Sequence, residues 1–396
     1  MILALIAALL LGVLSGTLTG LSPGIHINLV AAFLVSISSI LLRFTEPIYL
    51  VVFIVAMGIA HTFIDFIPSI FLGAPEEDTA LSILPAHQLL IEGRGYEAVK
   101  LSSYGSLFAI PVIIILLPIF IFLLQEVEDT LILVIPYILI ISTIFIILKD
   151  KNKLNSLIVF ILSGFLGIAA LNSAIKDPLL PMLTGLFGLS SLIVSLKLKS
   201  KIPLQQTKIK INKRELISPA LASFIYAPLC SVIPGVGSSQ AATLSSTLIE
   251  STNKKFIVLL GATNTIVLGL SFVVLYSISK SRTGVAAITN QIIPNITFNN
   301  LLIILAVIIF SGIISFFIAL FIGKLFAVNI SKINYQKLSI GVIIFLSIIT
   351  LLISSLTGLF LLLVSTILGL YCLNSGVKRI NLMGCLVLPT IIIYLI

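Results

Sequence analysis

His61 and Asp65 stand four residues apart in the apolar run 47–72, with Thr62 between them, and Asp65 is the only acid placed within a long apolar run. Residues at that spacing share one face of a helix. A carboxylate inside an apolar run should face a cavity and pair with something, and a histidine can change charge near neutral pH. The pair reads as a coupling site for H⁺ or Na⁺. The alternative is a His61–Asp65 pair that only satisfies itself.

Two other places concentrate polar atoms. Pro23-Gly24 and Pro234-Gly235 each interrupt a stretch of apolar sequence; Ser22, His26 and Asn28 flank the first, and Ser231, Gly237, Ser238, Ser239 and Gln240 flank the second. Proline removes a backbone donor and disfavours helix just before it, while glycine permits unusual φ. Non-helical backbone at membrane depth survives only where protein or a watery cavity satisfies it. Each motif therefore reads as the tip of a broken helix near the midplane, or else as a plain loop outside the bilayer. Behind each tip a helix N-terminus offers free N–H groups and a positive dipole end, so the two could face one small anion. Ser22, Pro23, Gly24, Asn28, Pro234, Gly235, Gly237, Ser238 and Ser239 are the expected substrate-binding residues.

The elements that must hold these residues are set by composition. The 396 residues are 59% apolar and 9% charged, with 23 Lys and Arg against 14 Asp and Glu, where a soluble domain carries about 25% charged residues. That excludes a soluble enzyme, a nucleic-acid binder and a disordered chain, and leaves an all-α polytopic membrane protein. The basic residues fall between or at the ends of apolar runs, where the bilayer tolerates them. Cys230, Cys372 and Cys385 form no disulfide framework or metal motif. The N-terminal run has no basic region before it and reads as a retained first helix.

Runs near the 20 residues that span a bilayer occur at 1–21, 25–42, 47–72, 102–124, 129–149, 154–175 and 178–196, then at 216–233, 235–250, 255–278, 299–323, 337–355, 356–373 and 380–396. Two shorter runs, 80–91 and 283–293, read as re-entrant or interfacial helices. The basic linker 197–215 divides the chain into a first transmembrane repeat, 1–196, and a second, 216–396. Phe53-Ile54-Val55, Gly58 and Thr62 match Phe256-Ile257-Val258, Gly261 and Thr265 at one offset, and Pro23-Gly24-Ile25 matches Pro234-Gly235-Val236. On this register Asn264 falls opposite His61 and Leu268 opposite Asp65. The basic loops 149–153, 197–214 and 378–379 should be cytoplasmic. The two halves then have opposite orientation, with both termini outside, and inverted repeats mark transporters.

Glu76-Glu77-Asp78 either binds cations or sits in water, and the corresponding region of the other half is basic, Lys280-Ser281-Arg282. Enzyme motifs are missing, including HExxH and a nucleophile elbow, and Pro234-Gly235-Val236-Gly237 lacks a phosphate-loop lysine.

At these residues the chain resembles the large membrane subunit of tripartite tricarboxylate transporters. Ser22-Pro23-Gly24 and Ile233-Pro234-Gly235-Val236-Gly237 look like that family's two Pro-Gly hairpins. Pro75, Thr79-Ala80, Pro85 and Gly93-Arg94-Gly95-Tyr96-Glu97-Ala98 match a further family stretch in order. The chain is shorter than typical members, and Glu76-Glu77-Asp78 replaces small polar residues; it is more similar to stand-alone archaeal-type permeases. The resemblance implies a translocation subunit assisted by a small membrane subunit and an extracytoplasmic binding protein, driven by ion gradients. The expectation is a plasma-membrane secondary transporter in the lipid bilayer, moving a small organic anion of the carboxylate class by alternating access. It has no cofactor beyond coupling Na⁺ or H⁺, no nucleic-acid partner, and scope for a homo-oligomer. Two other readings are a flippase for polyprenyl-phosphate lipids and an intramembrane enzyme using His61 and Asp65.

Overall fold

A computed structural model describes residues 2–22, 42–74, 79–197, 202–232, 237–250 and 252–395, and among these every regular element is a helix. Among the described residues eight helices are long and apolar enough to cross a membrane. Helix α1 (Ile2–Leu21) leads to α2 (Pro47–Ile64), which carries proline at the start, where no N–H is needed. α2 stops at Asp65 because Pro68 has no N–H to offer the Ile64 carbonyl. The short α3 (Phe66–Leu72) continues beyond the break and ends on Gly73 at φ 65°.

A 3₁₀ turn at Ala80–Ser82 opens α4 (Ile83–Ile91), matching the short run expected at 80–91. The helical stretch α5 (Gly95–Leu148) is 54 residues long, about 80 Å if straight. Its start is tied to Lys254 through Glu97, at 2.9 Å. Its far end, at Phe145 and Lys149, lines one cavity with Asn253. Both ends thus lie at one end of the bundle, and the stretch folds back between its arms, as the separate runs 102–124 and 129–149 required.

Helix α6 (Lys153–Leu171) is capped by Asn152, which accepts the Asn155 N–H at 3.3 Å. The run 178–196 becomes α7 (Leu179–Leu183), a π-helical turn at Thr184–Leu189, and α8 (Ser190–Lys197). In the second half α9 (Lys213–Val232) is followed by α10 (Ser238–Ser246), α11 (Asn253–Ile278), α12 (Gly284–Ile292) and α13 (Phe298–Ile330). The run 235–250 corrects an expectation. Only nine of its residues are helical, too few to span.

Helix α14 (Tyr335–Asn374) doubles back at Ser355, which takes φ 60° and ψ −167°. Leu338, Val342 and Leu346 on one arm share an apolar cluster with Leu359 and Leu362 on the other, all against Leu189 and Leu192. The runs 337–355 and 356–373 are these two arms. A 3₁₀ turn at Arg379–Met383 opens α15 (Gly384–Leu395).

Two helices form the centre. α2 and α11 are buried along nearly their whole length. α5 and α9 pack on α11, and α1 and α13 pack on α2, while α4 touches α11 and α12 touches α2. Around them lie α6, α14 and the outer faces of α1 and α13, which expose Leu14, Phe165, Phe317, Phe321, Leu352 and Phe360. Contiguous exposed apolar surface of this extent suits lipid, not water.

Glycine sets the closest approaches. Gly12, Gly16 and Gly20 form one stripe of α1, and a Cβ on Gly16 would stand 2.2 Å from the Met57 carbonyl oxygen on α2. Such small-residue stripes let helix backbones meet in a membrane. Gly105 on α5 and Gly261 on α11 do the same: a Cβ on either would stand 2.2 Å from a carbonyl oxygen of the opposite helix.

The linker is strapped down where described. Gln205 accepts the Gly95 N–H at 2.8 Å and donates to the Leu90 carbonyl at 3.0 Å, and Lys100 Nζ donates to the Ile209 carbonyl at 2.9 Å. The three cysteines are free thiols, all buried.

Candidate functional site

The break after α2 leaves a carboxylate deep among helices. Asp65 is 2% exposed and His61 3%. Asn264 Nδ2, on α11, donates to Asp65 Oδ2 at 3.1 Å. Thr19 Oγ1, near the end of α1, lies 3.1 Å from His61 Nδ1, the direction of that bond depending on the tautomer.

Beside them Thr62 and Thr265 meet, Oγ1 to Oγ1, at 3.1 Å. Thr62 donates its own proton to the Ile59 carbonyl at 2.9 Å, which makes Thr265 the donor between the two. One turn past Asp65, Ser69 Oγ lies 2.7 Å from Thr79 Oγ1 and 3.1 Å from the carbonyl oxygens of Asp65 and Ala74. These groups form a polar seam through an otherwise apolar centre, joining α1, α2, α3, α11 and the approach to α4. A carboxylate framed by an amide, an imidazole and hydroxyls is chemistry that can hold a proton or a small cation.

The start of α10 forms a second polar cluster, also packed against α11. Gly237 N–H donates to Gln240 Oε1 at 3.0 Å, a side chain reaching back to the helix start. Ser238, Ser239 and Gln240 are each at most 3% exposed, and Gln240 Nε2 is buried with no hydrogen-bond partner among the described residues. The dipole at this end favours negative charge.

The expected site residues divide in four. His61 and Asp65 come together with α11, and Gly237, Ser238 and Ser239 gather at the start of α10. Ser22 closes on its own helix, donating to the Leu18 carbonyl at 2.8 Å. Pro23, Gly24, Asn28, Pro234 and Gly235 lie outside the described residues, as does the acidic trio Glu76-Glu77-Asp78. Sequence reasoning gave no role to Thr19, Ser69, Asn264, Thr265 or Gln240. The repeat register did single out Asn264 and Thr265, and Gln240 stands at the third helical position, where a capping side chain belongs. Thr19 and Ser69 carry no local signal. Among the described residues no three His, Cys, Asp or Glu side chains form a metal-holding group.

The model of the tripartite tricarboxylate transporter TctA family matches residues 6–384. The chain belongs to the TctA family. This is a family of membrane transporters, not of enzymes, whose members form the large subunit of tripartite systems. A similar protein is "Uncharacterized protein MJ1079" of Methanocaldococcus jannaschii, 32% identical over 389 residues that cover 95% of each chain. No solved structure matches the chain. TctA membership accords with the multi-pass helical fold, and the archaeal relative accords with the stand-alone type that the chain's shortness and its acidic trio suggested.

Proposed function

We propose that this TctA permease carries a small carboxylate across the plasma membrane by alternating access, seating the anion at the start of α10 and coupling its movement to H⁺ or Na⁺ at Asp65. The observation that carries the reading is Gln240. A buried amide donor with no partner, beside two buried serines at a helix N-terminus, is costly unless something accepts from it.

Asp65 supplies the coupling logic. Its negative charge opposes the approach of an anion until a proton or sodium ion neutralises it. His61 and Asn264 hold that carboxylate's surroundings in place.

In this reading the two halves are inverted repeats, and the packing supports it. The long helix of each half lies on the other half's central helix, α5 on α11 and α13 on α2, and the short helices do likewise. The stretches 80–91 and 283–293 are then re-entrant or interfacial helices, and α9 and α10 flank the second Pro-Gly hairpin. Topology follows from the basic loops. Asp150 accepts the Lys378 N–H and Asn381 Nδ2, each at 3.0 Å, so loops 149–153 and 378–379 share one side. With that side cytoplasmic, both termini face out. A small membrane subunit and an extracytoplasmic binding protein are the partners that the family implies.

The test is uptake of labelled di- and tricarboxylates by the full-length protein in proteoliposomes, under imposed Na⁺ and pH gradients. Gln240→Leu raises KM, and Asp65→Asn abolishes gradient-driven accumulation while sparing exchange. Unchanged uptake in both Gln240→Leu and Gly235→Leu would sink the site. Movement of polyprenyl phosphates with indifference to every carboxylate would replace the carrier by a lipid flippase.

A further inference from the structure

Away from the central seam, a cavity of about 470 Å³ opens where α4, α10, α11 and the loops after α5 and α14 converge. Lys149, Lys378 and Arg379 line it, together with Thr247, Thr252 and Asn253. One acid, Glu250, faces the three cations.

Arg379 is the unusual member. It is 5% exposed, yet its guanidinium meets only neutral acceptors: Nη1 reaches Ser191 Oγ at 2.6 Å and the Phe187 carbonyl at 3.2 Å, and Nη2 reaches Ser190 Oγ at 3.0 Å. Nε is buried with no partner among the described residues. The neighbouring carboxylate, Asp150, is taken up by the N–H groups of Lys151, Lys378 and Asn381. Among the described residues no carboxylate ion-pairs with Arg379. A buried cation is costly unless paired, and with three cations against Glu250 the cavity carries an excess of positive charge.

The remaining walls say what kind of anion fits. Leu81, Phe145, Ile146, Phe256 and Ile380 are apolar. Phe145 is 40% exposed on the outer face of the bundle, and Lys149 Nζ sits 4.2 Å above its ring. A ligand with a charged head and an apolar body matches both halves of this lining. Basic pockets between membrane helices at the cytoplasmic face bind anionic lipid headgroups.

We propose that this cavity is a binding site for the phosphate headgroup of an anionic phospholipid, with Arg379 at its base and Lys149 and Lys378 at its mouth. The site is separate from Asp65 and from the start of α10, and it does not depend on what the permease carries.

The experiment uses the purified full-length protein in neutral detergent, its melting followed against dioctanoyl phosphatidylglycerol, dioctanoyl phosphatidylcholine and inorganic phosphate. Phosphatidylglycerol stabilises the protein at lower concentration than phosphatidylcholine of equal chain length. Lys149 and Lys378 are exposed, so Lys149→Gln and Lys378→Gln leave the fold intact. Each raises the half-saturating phosphatidylglycerol concentration about fivefold. Arg379→Gln removes the preference where it folds. Equal stabilisation by the two lipids, or an unchanged response in the double lysine variant, overturns the site. Inorganic phosphate matching the lipid overturns the phospholipid as its occupant.

Discussion

Thr62 and Thr265, 203 positions apart, are hydrogen-bonded to each other through their hydroxyls. The same interval relates Phe53-Ile54-Val55 and Gly58 to Phe256-Ile257-Val258 and Gly261. A residue touches its own repeat mate only near the axis that relates the repeats, so in the inverted-repeat proposal this bond marks the axis. Thr62→Val and Thr265→Val each cost about 1 kcal/mol. The double variant costs less than the sum of the two, because the first change already removes the shared bond. Melting of the three proteins in one detergent checks this, and strict additivity would argue against the contact.

The same register places Asn264 opposite His61, and Asn264 binds Asp65. Asn264→Leu therefore strips a donor from a buried carboxylate. The expected loss is about 1.5–3 kcal/mol, the range for bonds to charged groups. Asp65→Asn on the Asn264→Leu background recovers part of it, since the charge needing the donor is gone. Thermal unfolding at neutral pH gives both numbers.

Ser355 holds a backbone conformation that suits glycine, at φ 60° and ψ −167°. Strain of this kind costs about 1–3 kcal/mol. Ser355→Gly relieves it and raises the melting temperature, whereas Ser355→Ala does not. A drop in the glycine variant would mean that the turn needs the serine side chain.

The sequence revealed lengths better than faces. Apolar runs marked α1, α2, α6, α9, α11 and α13 and both arms of α5 and α14, because the bilayer demands a fixed length whatever surrounds the helix. The short helices at 80–91 and 283–293 were legible for the same reason. Which side of a helix meets protein was not, since a lipid tail is as apolar as leucine. The Gly12, Gly16 and Gly20 stripe, which decides how α1 lies on α2, thus went unread. Gln205 reads as linker, and only the fold brings it to Gly95. His61 and Asp65 stood out because charge is rare at that depth, while Thr19 and Ser69 are ordinary hydroxyls that matter only through the partners they meet. Arg379 looked like one more topology-setting charge, and its burial becomes visible only when α8 folds against it.

Helices α2 and α11 are walled off by their neighbours, yet both remain apolar enough to cross a membrane. The finished protein does not ask this of them, since packed neighbours could satisfy a more polar surface. Biosynthesis does. Each helix enters the bilayer before all the neighbours that later enclose it have been made, and must be stable against bare lipid for that interval. The apolar character of the two central helices is thus a record of how the chain is inserted. His61, Asp65, Asn264 and the paired threonines are among the few departures that this passage tolerates.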